Sequence, residues 1–97
     1  MKIKFEWDER KNTANIQKHG VSFEEAMVVF SDPMRYEMYD KVHSIIENRW
    51  IIIGLAGTKV LKVCFTERNT KIRLISARKT NEKDIKEYFY GYDRTNN

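Results

Sequence analysis

The sequence predicts an α+β domain in which helices pack on a mostly antiparallel sheet. Three observations carry this. The spacing of apolar residues switches between period 2 and period 3.6 along the chain, in the order strand, helix, helix, four strands, helix. The last four strands follow one another without an intervening helix, as antiparallel neighbours do. The 97 residues, 41% hydrophobic and 12% aromatic, suffice for one core and leave no room for a second domain. There is no internal repeat, linker or low-complexity stretch.

Ile3, Phe5 and Trp7 alternate with Lys4 and Glu6 and make the first strand. Asp8 caps a helix over Glu9 to His19, whose main apolar residues are Ala14 and Ile16. Lys11, Asn15 and Lys18 form one polar stripe on it, with His19 at its edge. Gly20 suits the left-handed residue that ends a helix. Ser22 and Glu25 then make a capping box, and Val21 can staple against Ala26. Phe23, Ala26, Met27 and Phe30 give the second helix a core-facing stripe, and Asp32-Pro33 stops it.

Met34, Tyr36 and Met38 define a second strand, and Asp40 to Asn48 a polar connection holding His43. Arg49 to Ala56 is a third strand, apolar on both faces between Trp50 and Ile53, and so expected in the middle of the sheet. Gly57-Thr58 is a two-residue hairpin turn. The fourth strand, Lys59 to Thr66, puts Leu61, Val63 and Phe65 on one face and Lys62, Cys64 and Thr66 on the other. Glu67 to Thr70 turns the chain into the fifth, Lys71 to Arg78. Asn81 caps a last helix with a core stripe of Ile85, Tyr88, Phe89 and Tyr92, and Gly91 lies near its end. Trp7 and Trp50 are expected in the core.

Composition excludes several functions. The single cysteine, Cys64, forbids an internal disulfide and a cysteine-rich zinc site, and its strand context makes it a packed thiol. MKIKFEWDER has no apolar run before its first charges, and the longest apolar run, Trp50 to Ala56, is too short to span a bilayer. A cytoplasmic protein is expected. His19 and His43 share no metal-ligand spacing, and there is no phosphate loop, nucleophile elbow or dinucleotide fingerprint. No metal or cofactor is expected.

The net charge is +4, but its placement says more. Lys59 to Lys79 holds seven basic residues against one acid, Glu67, which points to a polyanionic partner such as nucleic acid. RNA carries its own nucleophile, the 2′-hydroxyl, so a nuclease need only align the backbone, neutralise charge and move protons. A positioned acid or base contributes about 10²- to 10⁴-fold, and an arginine at a phosphoryl transition state roughly 10³ to 10⁵. Each candidate also has a plain structural use. Lys18 and His19 complement the negative end of their helix, worth about 0.3 to 1 kcal/mol. His43 and Arg68 sit in solvated turns. Arg78, on the alternation Ile72, Leu74, Ser76, Arg78, shares a face with apolar residues and needs an anion, either a protein carboxylate or a phosphate.

Four stretches carry a family resemblance: FEWDERKNTANIQKHGVSFEEAMVVFSDP (Phe5 to Pro33), DKVHSIIENRWIIIG (Asp40 to Gly54), TERNTKIRLISAR (Thr66 to Arg78), and a closing helix with Glu82 and Tyr88. In that order they resemble the BrnT family, toxins of bacterial type II toxin–antitoxin pairs. The resemblance implies a RelE-like fold, with residues 1–92 as a single toxin domain and 93–97 as a short flexible tail. It implies a metal-independent endoribonuclease that cleaves RNA to arrest translation and growth. It further implies a BrnA-like ribbon-helix-helix antitoxin, through which the complex reaches operator DNA. The family pattern matches at Lys11, Asn15, Lys18, His19 and Gly20, at Asp40, His43, Glu47 and Arg49, and at Glu67, Arg68, Arg73 and Arg78. On this basis Arg68 and Arg78 are expected to hold the scissile phosphate. Either His19 or His43 transfers protons, Lys18 assists electrostatically, and Lys11, Arg49 and Arg73 guide the strand. The competing reading is a non-catalytic basic module that binds nucleic acid or serves only as the antitoxin's partner in repression.

Overall fold

Asp8 opens the first helix by accepting a hydrogen bond from the Arg10 N–H, and Gly20, at φ 69°, closes it. The computed structural model describes residues 2–96, with side chains described up to residue 90. Its elements are β1 (Phe5–Glu6), α1 (Glu9–His19), α2 (Phe23–Met27), a 3₁₀ turn (Val28–Ser31), β2 (Tyr36–Tyr39), β3 (Trp50–Ala56), β4 (Lys59–Arg68), β5 (Lys71–Lys79) and α3 (Glu82–Asn96). The expectations on Gly91, Tyr92 and the tail from Asp93 to Asn97 concern side chains outside the described ones. No helix among the described residues is long and apolar enough to cross a membrane.

The strands form one sheet in the order β1-β5-β4-β3-β2. All neighbours are antiparallel except β1, which runs parallel to β5. The class is α+β, with a mostly antiparallel sheet. β3 is an interior strand, and β4 is the middle one. One face of the sheet, through Ile52, Leu61, Val63, Phe65, Leu74 and Ala77, packs on Val21, Phe23, Ala26, Val29 and Phe30. Phe30 meets Phe5 and Phe65 edge to face at 5.0 Å each. Gly54 lets the 3₁₀ turn approach, since a Cβ there would lie 3.0 Å from Val29 Cβ. Both parts of the Ser22–Glu25 capping box are present.

Four expectations change. First, β5 carries a bulge: Cys64 pairs with Ser76 but Phe65 pairs with Leu74, so Ile75 is an extra residue. The alternation inverts there. Ile72 and Leu74 face the core, Ala77 takes over that role, and Ser76 and Arg78 lie on the opposite face. Second, α1 buries asparagines. Ile16 is 45% exposed, whereas Asn12 and Asn15 are buried. Asn15 Nδ2 donates to the carbonyls of Val21 (2.8 Å) and Ala77 (2.7 Å), and its Oδ1 accepts from the Ala77 N–H (3.1 Å). Its amide thus acts as one more ladder rung on the edge of β5 that short β1 leaves open. Third, Trp50 is not core: it is 36% exposed and stacks edge to face on exposed Tyr39. Trp7 is half-buried against Phe23. Fourth, Phe89 is exposed, while Tyr88 turns inward and donates to Asp32.

The β4–β5 ladder runs down to Arg68 opposite Lys71, leaving a two-residue turn, Asn69-Thr70. Both residues have positive φ, 52° and 65°, as a hairpin turn of this hand requires. Asparagine tolerates that conformation, but a β-branched threonine is strained in it. Thr70→Gly is therefore expected to raise stability by about 1 kcal/mol. Asn15→Ala, which orphans three backbone groups, should lower it by about 2 kcal/mol. Urea unfolding midpoints of the two variants check both signs.

Candidate active site

The loop between β2 and β3 is tied at its base. The Asp40 N–H donates to the Arg49 carbonyl, and the Ser44 hydroxyl bonds to both Asp40 O and Arg49 O while accepting from the Arg49 N–H. This extends the β2–β3 ladder by one pair and holds Asp40 and Arg49 side by side. His43, on the loop, donates from Nδ1 to Asp40 Oδ2 at 2.8 Å. A carboxylate only accepts, so this bond keeps the proton on Nδ1 and leaves Nε2 to exchange one.

Asp40, His43 and Arg49 border a groove of about 340 Å³ on the face of the sheet opposite the core. Its floor is Ile51 of β3, Lys62 and Cys64 of β4, and Ile75, Ser76 and Arg78 of β5. His19, at the C-terminal end of α1, reaches its rim. The β-bulge gives Arg78 this position directly opposite Lys62. Burial pushes the Cys64 thiol above its ordinary value, consistent with a packed, unreactive group.

Asp84 supplies the anion that Arg78 was expected to need. The residue is 3% exposed, and its carboxylate accepts from Arg78 Nη2 at 2.9 Å and Lys62 Nζ at 3.3 Å. It also joins Asn81 in a reciprocal cap at the start of α3. Burial alone would raise its pKa, but the Asn81 N–H and the two cations outweigh burial and hold it below the ordinary value. The cations are thus oriented by a carboxylate lying beneath them. Arg49 has no such partner: its Nε is buried and unpaired, the one such side-chain atom found among the described residues. A guanidinium that borders a groove and has no carboxylate of its own favours an anionic ligand.

The groove gathers His19, His43, Arg49 and Arg78 from the expected residues. It does not include Lys11 and Lys18, which are exposed on α1. Arg68 is paired with Glu47 at 3.1 Å and lines a separate hollow beside Trp50 and Thr66. Arg73 is paired with Glu6 at the β1 edge, also at 3.1 Å. The charge run from Lys59 to Lys79 is accordingly less naked than the sequence suggests. Lys59, Lys62, Arg68, Arg73 and Arg78 all meet carboxylates from Glu6, Glu25, Glu47 or Asp84, elsewhere in the chain. Asp40, Lys62 and Asp84 were missed as site residues. Asp40 had a legible signal, its spacing three residues before His43; Asp84 had none, because its partners lie in other elements.

Cations and two imidazoles around an open sheet face suit a phosphate-bearing ligand whose own groups react. The comparisons agree. Residues 7–84 match the family described as "Ribonuclease toxin, BrnT, of type II toxin-antitoxin system", and with most of its length matched the chain belongs to that family. It is a ribonuclease toxin by family, with RNA as its target and a protein antitoxin as its partner. No curated protein matches the chain. Among the described residues, no three His, Cys, Asp or Glu side chains are grouped to hold a metal ion.

The lowered pKa of Asp84 has a consequence for acid stability. Its folded value lies below the ordinary 3.8, so its contribution is complete above that pH and is lost as pH falls through the lower folded value. Asp84→Asn should be less stable than the wild type at neutral pH and lose less on acidification. Melting temperature against pH for the two proteins checks this.

Proposed function

We propose that the chain is a metal-independent endoribonuclease with a RelE-like fold, and that the groove on the open face of its sheet cleaves RNA by transesterification. The observation that carries this is the juxtaposition of the Asp40–His43 pair with the unpaired Nε of Arg49 at one rim. His43, its tautomer held by Asp40, takes the proton from a 2′-hydroxyl. The 2′-oxygen attacks the adjacent phosphorus, and the bond to the 5′-oxygen breaks. His19, across the groove, returns a proton to that leaving oxygen. The products are a 2′,3′-cyclic phosphate and a free 5′-hydroxyl. Arg49 binds the phosphate oxygens, whose negative charge grows in the transition state, with Lys62 and Arg78 adding a field that Asp84 keeps fixed. Lys11, Lys18, Arg68 and Arg73 lie outside this groove and act, in this reading, on the flanking strand.

The same reading extends to the wider role. Cleavage would arrest translation and growth in the cytoplasm. The antitoxin would be a BrnA-like ribbon-helix-helix protein, and the complex would reach operator DNA through it. The non-catalytic reading makes no use of the Asp40–His43 pair.

Incubation of the purified protein with RNA should yield fragments ending in cyclic phosphate, equally with and without a chelator. Intact RNA in both samples would defeat the proposal, and cleavage lost only with chelator would defeat its metal-free form. His43→Ala should lower kcat by about 10²- to 10⁴-fold. Asp40→Asn, which frees the imidazole to take the wrong tautomer, should lower kcat with KM little changed and shift the pH profile.

A further inference from the structure

The loop that carries His43 also carries the most exposed large apolar side chains among the described residues. Val42 is 75% exposed, Ile45 90% and Ile46 99%. They border a second hollow, of about 350 Å³, whose other walls are His43, Glu47 and Arg49. Single exposed aliphatics are ordinary, but three on one short loop beside a polar site mark a surface that is covered in use. RNA is a poor occupant. It presents phosphates, sugars and flat bases, and single-stranded RNA is held by cations and aromatic rings rather than aliphatic side chains. A protein segment with an apolar face suits the patch.

The two hollows share His43 and Arg49. Whatever seats on Val42, Ile45 and Ile46 therefore lies against His43 and the Arg49 side chain, which line both hollows. We propose that this loop is the docking site of the protein antitoxin. Its occupant would be a segment that buries apolar side chains against Val42, Ile45 and Ile46 and places a carboxylate on Arg49. The charge complementarity is specific: the Arg49 guanidinium is paired with no carboxylate among the described residues, and a side-chain carboxylate can take the place of the RNA phosphate on it. Neutralisation is then direct competition at the catalytic rim. The inference rests on the ribonuclease reading for the meaning of that competition, but the docking itself does not.

The test uses the full chain and, as probe, the protein encoded beside its own gene. Ile45→Ser combined with Ile46→Ser removes apolar surface without adding charge, at positions too exposed to contribute to folding. The double variant should cleave RNA at the wild-type rate, bind the probe about a hundredfold more weakly, and stay active when the probe is added. Arg49→Gln should weaken probe binding about tenfold. Unchanged affinity in the double variant overturns the proposal. So does lost cleavage with unchanged affinity, which would give the patch to RNA. A dimer becoming monomer with unchanged affinity would give it to a second copy and overturns it too. If the wild type binds the probe but cuts no RNA, the affinity comparison still decides the docking, and the ribonuclease reading alone fails.

Discussion

The site depends on one extra residue in β5. Without the bulge at Ile75, strict alternation would put Ser76 on the core face opposite Val63 and carry Arg78 to the Leu61 position, away from Lys62. With it, the core face is continued by Ala77 while Ser76 and Arg78 turn to the open face beside Cys64 and Lys62. One inserted residue thus places Arg78 beside Lys62, where Asp84 can meet both. On the other edge of β5, which short β1 leaves open at this point, Asn15 bonds both backbone groups of Ala77 from α1.

The electrostatics follow the same division. Carboxylates from distant parts of the chain hold most of the basic residues in β4 and β5. This fixes their geometry and reduces their value as a diffuse basic patch. Arg49, at the base of the β2–β3 loop, stands apart from these pairs, with a guanidinium nitrogen buried and unanswered. Leaving a charged donor unpaired costs stability, and such costs concentrate where a ligand removes them. The loop that presents Arg49 is closed by backbone bonds and the Ser44 hydroxyl, so the exposed aliphatics at its tip do not loosen its base.

Much of this was legible in the residues. Asp8, Gly20, Ser22 with Glu25, and Asn81 mark helix ends by local chemistry, and all four act where sequence logic puts them. The α+β class follows from period switches that depend only on neighbouring residues. What escaped was long-range. The bulge depends on register with β4, so simple alternation puts Arg78 on the wrong face. Asn15 looks like part of a wet stripe until β5 is seen beside it. Asp84 reads as an ordinary helix-start acid, though it anchors two cations. Trp50 reads as core because β3 is interior, yet it is the first residue of the strand and stays partly exposed beside Tyr39.

The account stands or falls on where a phosphate sits. NMR of the Arg Nε–Hε signals, during titration with a short RNA whose 2′-hydroxyls are replaced by hydrogen and which therefore cannot be cut, reads this directly. The Arg49 signal should move first, with its exchange with water slowed as the buried donor gains an acceptor. Arg78 should follow more weakly, held as it is by Asp84. If Arg49 stayed still while Arg68 or Arg73 responded, the groove would not be the place where RNA is held.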